Sequence, residues 1–159
     1  MSSNVDKIEQ MTRHAVTEVF RSMLSMDLVE QPPVLESNDP GGQIVASVGF
    51  IGEANGIVYL YAGVPFAAVL TSRMLGIPQA EVDDVMVNDA MGELGNMVGG
   101  YVKSRLCDGG WPCVLTIPSI VRGQQLSIEG VADVARRIFG YGNNGQHLVV
   151  ELLIKEPAE

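Results

Sequence analysis

A chain of 159 residues, 47% hydrophobic and 18% charged, has the size and composition of one compact domain. Wholesale disorder and two independent cores are both excluded. Ten Lys and Arg against 19 Asp and Glu leave a net charge of −9, so no nucleic acid is expected as a partner, because binding to a phosphate backbone relies on cations that displace counterions.

No run approaches the roughly 20 apolar residues of a membrane span, and the N-terminus lacks the basic, apolar and small-residue succession of a signal peptide. A cytoplasmic chain starting near Met1, with no membrane partner, is expected. From Asn4 to about Met26, Ile8, Met11, Ala15, Val19, Phe20, Met23 and Leu24 recur at helical spacing and predict a first helix. The loop QPPVLESNDPGG follows. Gln43 to Phe50 then alternates Ile44, Ala46, Val48 and Phe50 on one face as a strand does, and a second strand is predicted at Ile57 to Tyr61, after a tight turn at Asn55-Gly56.

Pro65 opens a short helix to about Leu75, which Gly76 stops before a turn at Ile77-Pro78. A long helix is predicted over Val82 to Leu106, despite internal glycines at Gly92, Gly95, Gly99 and Gly100 that each cost about 1 kcal/mol relative to Ala. Cys107 and Cys113 in CDGGWPC match neither a CxxC redox pair nor half of a zinc site, and a structural or incidental role is expected of them, with a reactive or bridging pair as the alternative. Val114 to Val121 reads as a strand, Arg122-Gly123-Gln124 as a turn and Gln125 to Ile128 as another strand. The last pair, Val134 to Tyr141 and His147 to Lys155, flanks the turn Gly142 to Gly145, although Val131, Val134, Ala135 and Ile138 also fit a helical turn.

A helix followed by a hairpin occurs twice in this order. The fold class expected is α/β of the α+β type, with helices packed on a largely antiparallel sheet in a pseudo-duplicated single domain over 1–159, frayed at 1–4 and 156–159.

On the long helix, Met86, Ala90, Leu94, Met97, Val98 and Tyr101 form the predicted buried stripe. Nearly opposite stand Asp89, Gly92, Glu93, Asn96, Gly99, Gly100 and Lys103. Glu93 and Asn96 are three apart, so their side chains stand side by side one turn along the axis. Glycines around an acid and an amide would let a macromolecule approach the helix backbone; equally, they would let the helix pack closely inside the protein, with the polar pair merely solvated.

The segment NDAMGELGNMVGG, Asn88 to Gly100, resembles the signature helix of the CheC/CheX family of chemotaxis phosphatases, in which ExxN precedes an apolar pair and glycine. Glu93, Asn96, Met97-Val98 and Gly99 carry the match. The N-terminal helix, the hairpin from Gly56 to Gly63 and VLTIPSIVRG extend it more faintly. In the first helix Glu18-Val-Phe-Arg21 has arginine where the motif has asparagine, which leaves one site and resembles the CheX branch. That resemblance implies a homodimer.

It also implies a substrate, the aspartyl phosphate of a CheY-like receiver domain in chemotaxis or a related two-component pathway. The enzyme would be a protein aspartyl-phosphate phosphatase with no cofactor of its own, Mg2+ being expected in the partner receiver. Asn96 would orient the attacking water and Glu93 would anchor the receiver's active-site lysine, with Asp89, Gly92, Gly99, Gly100 and Lys103 as further partner contacts. A non-catalytic adaptor for phosphorylated receivers and a structural protein related to the flagellar switch are the alternative expectations.

Overall fold

The computed structural model describes residues 3–36, 38–124, 126 and 133–156. The first helix, α1 (Asn4–Leu24), begins at a capping box in which the Ser3 side chain accepts from the Asp6 amide while Asp6 accepts from the Ser3 amide. It ends where Ser25 adopts the left-handed conformation (φ 51°). Strand β1 (Val29–Gln31), unpredicted, is only three residues long and sits at a sheet edge. Strands β2 (Gln43–Gly52) and β3 (Asn55–Gly63) form the first hairpin.

The turn of that hairpin lies at Glu53-Ala54, not at Asn55-Gly56. Asn55 closes it from inside the strand: its carboxamide accepts from the Gly52 amide at 3.1 Å and donates to the Gly52 carbonyl at 2.9 Å. An Asn-Gly pair adjacent to a turn thus bridges it through the side chain instead of occupying its corner.

Helix α2 (Val64–Leu75) follows at once, with Pro65 in its first turn and Gly76 (φ 66°) capping its end as predicted. A 3-10 turn, Gln79–Glu81, leads to α3 (Asp84–Asp108), whose N-cap Asp83 accepts from the Met86 amide at 2.8 Å. The single strand expected over Val114 to Val121 is two strands, β4 (Cys113–Leu115) and β5 (Ser119–Gly123), both paired with β2. Pro118 has no amide to give the ladder, and Thr116 fills the break with its own pair of bonds to Gly49, amide to carbonyl at 2.9 Å and Gly49 amide to hydroxyl at 2.8 Å. Arg122 and Gly123, expected in a turn, belong to β5; of the strand expected at Gln125 to Ile128 only Leu126 is described, outside any strand, and the rest lies outside the described residues.

Strands β6 (Ala135–Asn143) and β7 (Gln146–Lys155) close the chain as a hairpin across Asn144-Gly145, both at positive φ (47° and 80°). Strand rather than helix therefore holds at Ala135 and Ile138. The strand order is β1-β6-β7-β3-β2-β4, with β5 beside β2, and every pairing is antiparallel. The two hairpins meet at the β3–β7 seam.

All three helices bury their apolar sides on one face of this sheet. Ile44, Ala46 and Phe50 of β2, Leu60 of β3, Phe139 and Tyr141 of β6 and Val150 and Leu152 of β7 face Phe20 of α1, Phe66 and Leu70 of α2 and Met91, Leu94 and Val98 of α3 in one core. The alternation read along β2 is thus the helix-facing register. Among the described residues, the other sheet face carries a small buried cluster of Val45, Tyr61 and Val149, with Tyr59, Leu126 and Ile138 packed against it.

Candidate functional site

Helix α3 runs across the sheet with its flank along β4 and β5. Its buried residues are Val87, Ala90, Met91, Leu94, Val98, Val102 and Leu106, joined by Gly92, Gly95 and Gly99. Met86, Met97 and Tyr101, placed in the buried stripe by periodicity, are half-buried at its border. The hidden side is rotated by about a quarter turn from the predicted stripe, because Val87, Met91, Val102 and Leu106 belong to it and the glycines form part of the wall.

Two of the glycines expected on the polar face, Gly92 and Gly99, are buried instead. A Cβ on Gly99 would lie 2.8 Å from Cγ1 of Val48, and one on Gly95 3.4 Å from Cγ2 of the same valine. These glycines let α3 lie close upon β2. Gly92 is buried too, facing Ile120 of β5 with its Cβ position 3.9 Å from Cδ1. Of the glycines assigned to the polar face, Gly100 alone opens outward, with nothing within 4 Å of its Cβ position.

Glu93 and Asn96 are both exposed, as is Asp89 one turn before, while Lys103 is half-buried one turn beyond Gly100. An acid and an amide therefore stand side by side near the middle of a 25-residue helix, beside a gap left by Gly100. The buried side of that helix is clamped to the sheet, so the pair is presented by a rigid element.

A residue that the sequence reading placed in a turn braces this helix. Arg122 of β5 donates from Nε to Oδ1 of Asn88 at 2.9 Å and from its terminal nitrogens to Oδ1 and the carbonyl of Asp84, each at 3.3 Å. It ties the N-terminal half of α3 to the sheet edge. No periodicity signals such a bond, which spans 34 residues of sequence.

On the first helix, Arg21 in the asparagine position pairs with Glu18 at 3.3 Å and with Asp27 at 3.5 Å. That acid is held by its own neighbour. Cys107 is exposed and Cys113 buried; the Cys107 thiol points at the Cys113 carbonyl at 4.0 Å, and burial, with the nearby Cys107 thiol, pushes the Cys113 thiol above its ordinary range. Among the described residues no three His, Cys, Asp or Glu side chains gather as metal ligands, and no helix is long and apolar enough to cross a membrane.

Three helices on one face of an antiparallel sheet, with ExxN exposed at the middle of the longest, form a domain of the CheC/CheX-like class. The sequence matches the family described as chemotaxis phosphatase CheX over residues 44–140, more than half of the chain. The CheY-P phosphatase CheX of Thermotoga maritima is 26% identical over 117 residues, covering 72% of this chain and 75% of its own.

Among solved structures, the chemotaxis protein CheX from Vibrio vulnificus superposes with a TM-score of 0.79 at 21% identity, covering 93% of this chain and 99% of its own. The CheX-CheY-BeF3-Mg2+ complex from Borrelia burgdorferi does so with a TM-score of 0.78 at 22% identity, covering 94% and 98%. The chain belongs to the chemotaxis phosphatase CheX family.

Proposed function

We propose that this chain accelerates hydrolysis of the aspartyl phosphate on a CheY-like receiver domain, and that Asn96 and Glu93 are the side chains that do it. The observation that carries this reading is the paired exposure of an acid and an amide on one turn of a clamped helix, beside the gap at Gly100.

An acyl phosphate leaves through a loose transition state that demands little from an attacking water beyond alignment with the breaking P–O bond. The Asn96 carboxamide accepts a hydrogen bond from that water through Oδ1, and its nitrogen is free to donate to a phosphoryl oxygen; being uncharged, it does not repel the phosphoryl group. Water oxygen bonds to phosphorus as the P–O bond to the receiver's aspartate breaks. The water proton passes to the phosphate released, and the receiver keeps a free carboxylate. Magnesium, present in the Borrelia complex, is assigned by this reading to the receiver.

Glu93 carries the wrong charge for contact with the phosphoryl oxygens and the right one for a lysine beside them. A charge-assisted hydrogen bond to such a lysine would set the register in which Asn96 meets the water. Asp89, Gly100 and Lys103 border the pair and complete the face that meets the receiver.

The chain is further read as a homodimer, with the helix-free sheet face as its support. Ile51, Val114, Ile117 and Val121 stand there at 58%, 62%, 87% and 53% exposure along the β2–β4–β5 edge, a row of large apolar side chains of the kind that marks interfaces.

Dephosphorylation of the phosphorylated cognate receiver in magnesium, followed as phosphate release, tests the site. Asn96→Ala should remove nearly all acceleration with the fold intact, whereas Glu93→Ala should chiefly raise KM. Full activity in the Asn96 variant would overturn the mechanism.

A further inference from the structure

The two cysteines of the chain, Cys107 and Cys113, take no part in the receiver chemistry, yet the fold brings them together. Cys107 sits in the last turn of α3 and Cys113 opens β4. Between them the chain doubles back. The Gly110 amide donates to the Cys107 carbonyl at 3.2 Å and the Trp111 amide to the Leu106 carbonyl at 2.8 Å, and Gly110 takes a positive φ of 89° that favours glycine at this reversal.

The two thiols differ in what can reach them. Cys107 is exposed, whereas Cys113 is 6% exposed and belongs to the main core. Their sulfurs are neighbours: the Cys107 thiol points at the Cys113 carbonyl at 4.0 Å, and the Cys113 thiol has the Cys107 thiol as a hydrogen-bonding partner. Packing accounts for Cys113, since a thiol serves as a small apolar side chain in a core. It does not account for Cys107, whose exposed thiol adds nothing to that core and is open to oxidants.

Freedom to move is divided in the same way. Cys113 is held, because it pairs with Gly52 in the β2–β4 register and the Pro112 carbonyl before it accepts from the Glu53 amide at 2.9 Å. Cys107 lies at a helix end followed by two glycines, with nothing within 4 Å of the Cβ position of Gly110. A small rotation of that last turn brings its sulfur from contact to the bonding distance of about 2.05 Å.

We infer that Cys107 and Cys113 form a reversible disulfide, a modification site for peroxide oxidants at the join of α3 and β4. The Cys107 sulfur attacks one oxygen of the peroxide; the O–O bond breaks, Cys107 becomes a sulfenic acid and the other oxygen leaves as water. The Cys113 sulfur then attacks the Cys107 sulfur; the S–O bond breaks, and the hydroxyl leaves as a second water with the Cys113 proton. Two thiols are thus oxidised by one hydrogen peroxide, which is reduced to two waters, and a dithiol reverses the bond by exchange. Lys103, one turn before Cys107 and a charged neighbour of the Cys113 thiol, favours negative charge developing on sulfur. Asp108 directly after Cys107 opposes it, so exposure rather than charge selects Cys107 as the sulfur that reacts first. The bond fastens the end of the helix that carries Glu93 and Asn96 to β4, and the site stands whether or not a receiver is the substrate.

The test uses the full chain, reduced and freed of reductant, with hydrogen peroxide as the oxidant. Intact mass, free thiols counted after unfolding, and denaturing gels run without reductant are followed together. The wild type should lose both thiols in step, become lighter by two hydrogen atoms, keep the size of one chain on the gel and regain both thiols with dithiothreitol. Cys113→Ser should stop at a sulfenic acid that dimedone traps on Cys107, and Cys107→Ser should keep Cys113 reduced over the same exposure. Cys107→Ser changes an exposed side chain and keeps the test valid if the Cys113 variant fails to fold.

A wild type that keeps both thiols while its methionines oxidise, that carries Cys107 on to sulfinic acid with Cys113 still free, or that links two chains through Cys107 would overturn the site. So would loss of the Cys113 thiol in Cys107→Ser at the wild-type rate, because the buried sulfur would then react without its exposed neighbour.

Discussion

Gly99 and Gly100 are neighbours on one helix, and substituting each by alanine should have opposite effects. Alanine in a helix interior is about 0.8–1.0 kcal/mol better than glycine. At position 100 the added methyl meets nothing within 4 Å, so that gain should appear undiminished and raise Tm by about 3 °C in a domain of this size. At position 99 the methyl would sit 2.8 Å from Cγ1 of Val48 and 3.5 Å from Cδ2 of Leu115.

Val48 is only 1% exposed, on a strand paired on both sides, and its β-branched side chain has little freedom to turn away. Overpacking of this kind costs about 1–3 kcal/mol, which outweighs the helical gain and leaves Gly99→Ala about 1 kcal/mol less stable than wild type. The two variants should therefore differ by about 2 kcal/mol. Urea denaturation followed by circular dichroism measures that gap, and phosphate release on the same samples should show Gly100→Ala raising KM, because its methyl stands on the docking face. Gly99→Ala as stable as Gly100→Ala would refute the close seating of α3 on β2.

Two further outcomes follow from the sheet. Ile117→Asp should shift the sedimenting species toward the 17.0 kDa single chain while the wild type sediments as a pair, and a monomeric wild type would refute the dimer. Burial first, and then the hydrogen bond to Glu151 at 2.7 Å with that residue's charge, raises Tyr61 well above the ordinary tyrosine range; burial likewise raises Tyr141. Groups with raised values hold their full stabilisation below the ordinary tyrosine pKa of about 10 and lose it as pH climbs beyond. Absorbance titration should thus leave these two of the four tyrosines silent at about pH 11 until the chain unfolds. A full tyrosinate signal with intact circular dichroism would contradict their burial.

The sequence by itself determined what depends on local period and local chemistry. The helix boundaries at Asn4, Pro65 and Gly76, the helix-facing alternation of Ile44, Ala46, Val48 and Phe50, and the spacing that places Glu93 beside Asn96 all follow from a repeat of 3.6 or 2 residues or from a cap. The pairing of Glu93 with Asn96 was readable for that reason.

Which way the helix turns was not. Periodicity weighs large apolar side chains and counts glycine as bare, so it put Gly92 and Gly99 on the outside; the sheet, approaching within contact of Val48, took Gly95 and Gly99 into the core. Arg122 reaching Asn88 and Asp84 and Thr116 bridging the break between β4 and β5 join residues far apart in sequence. Their meeting depends on strand register and helix packing, which only the assembled tertiary structure decides: Asn96 and Glu93 were given by the spacing, and the surface around them by the fold.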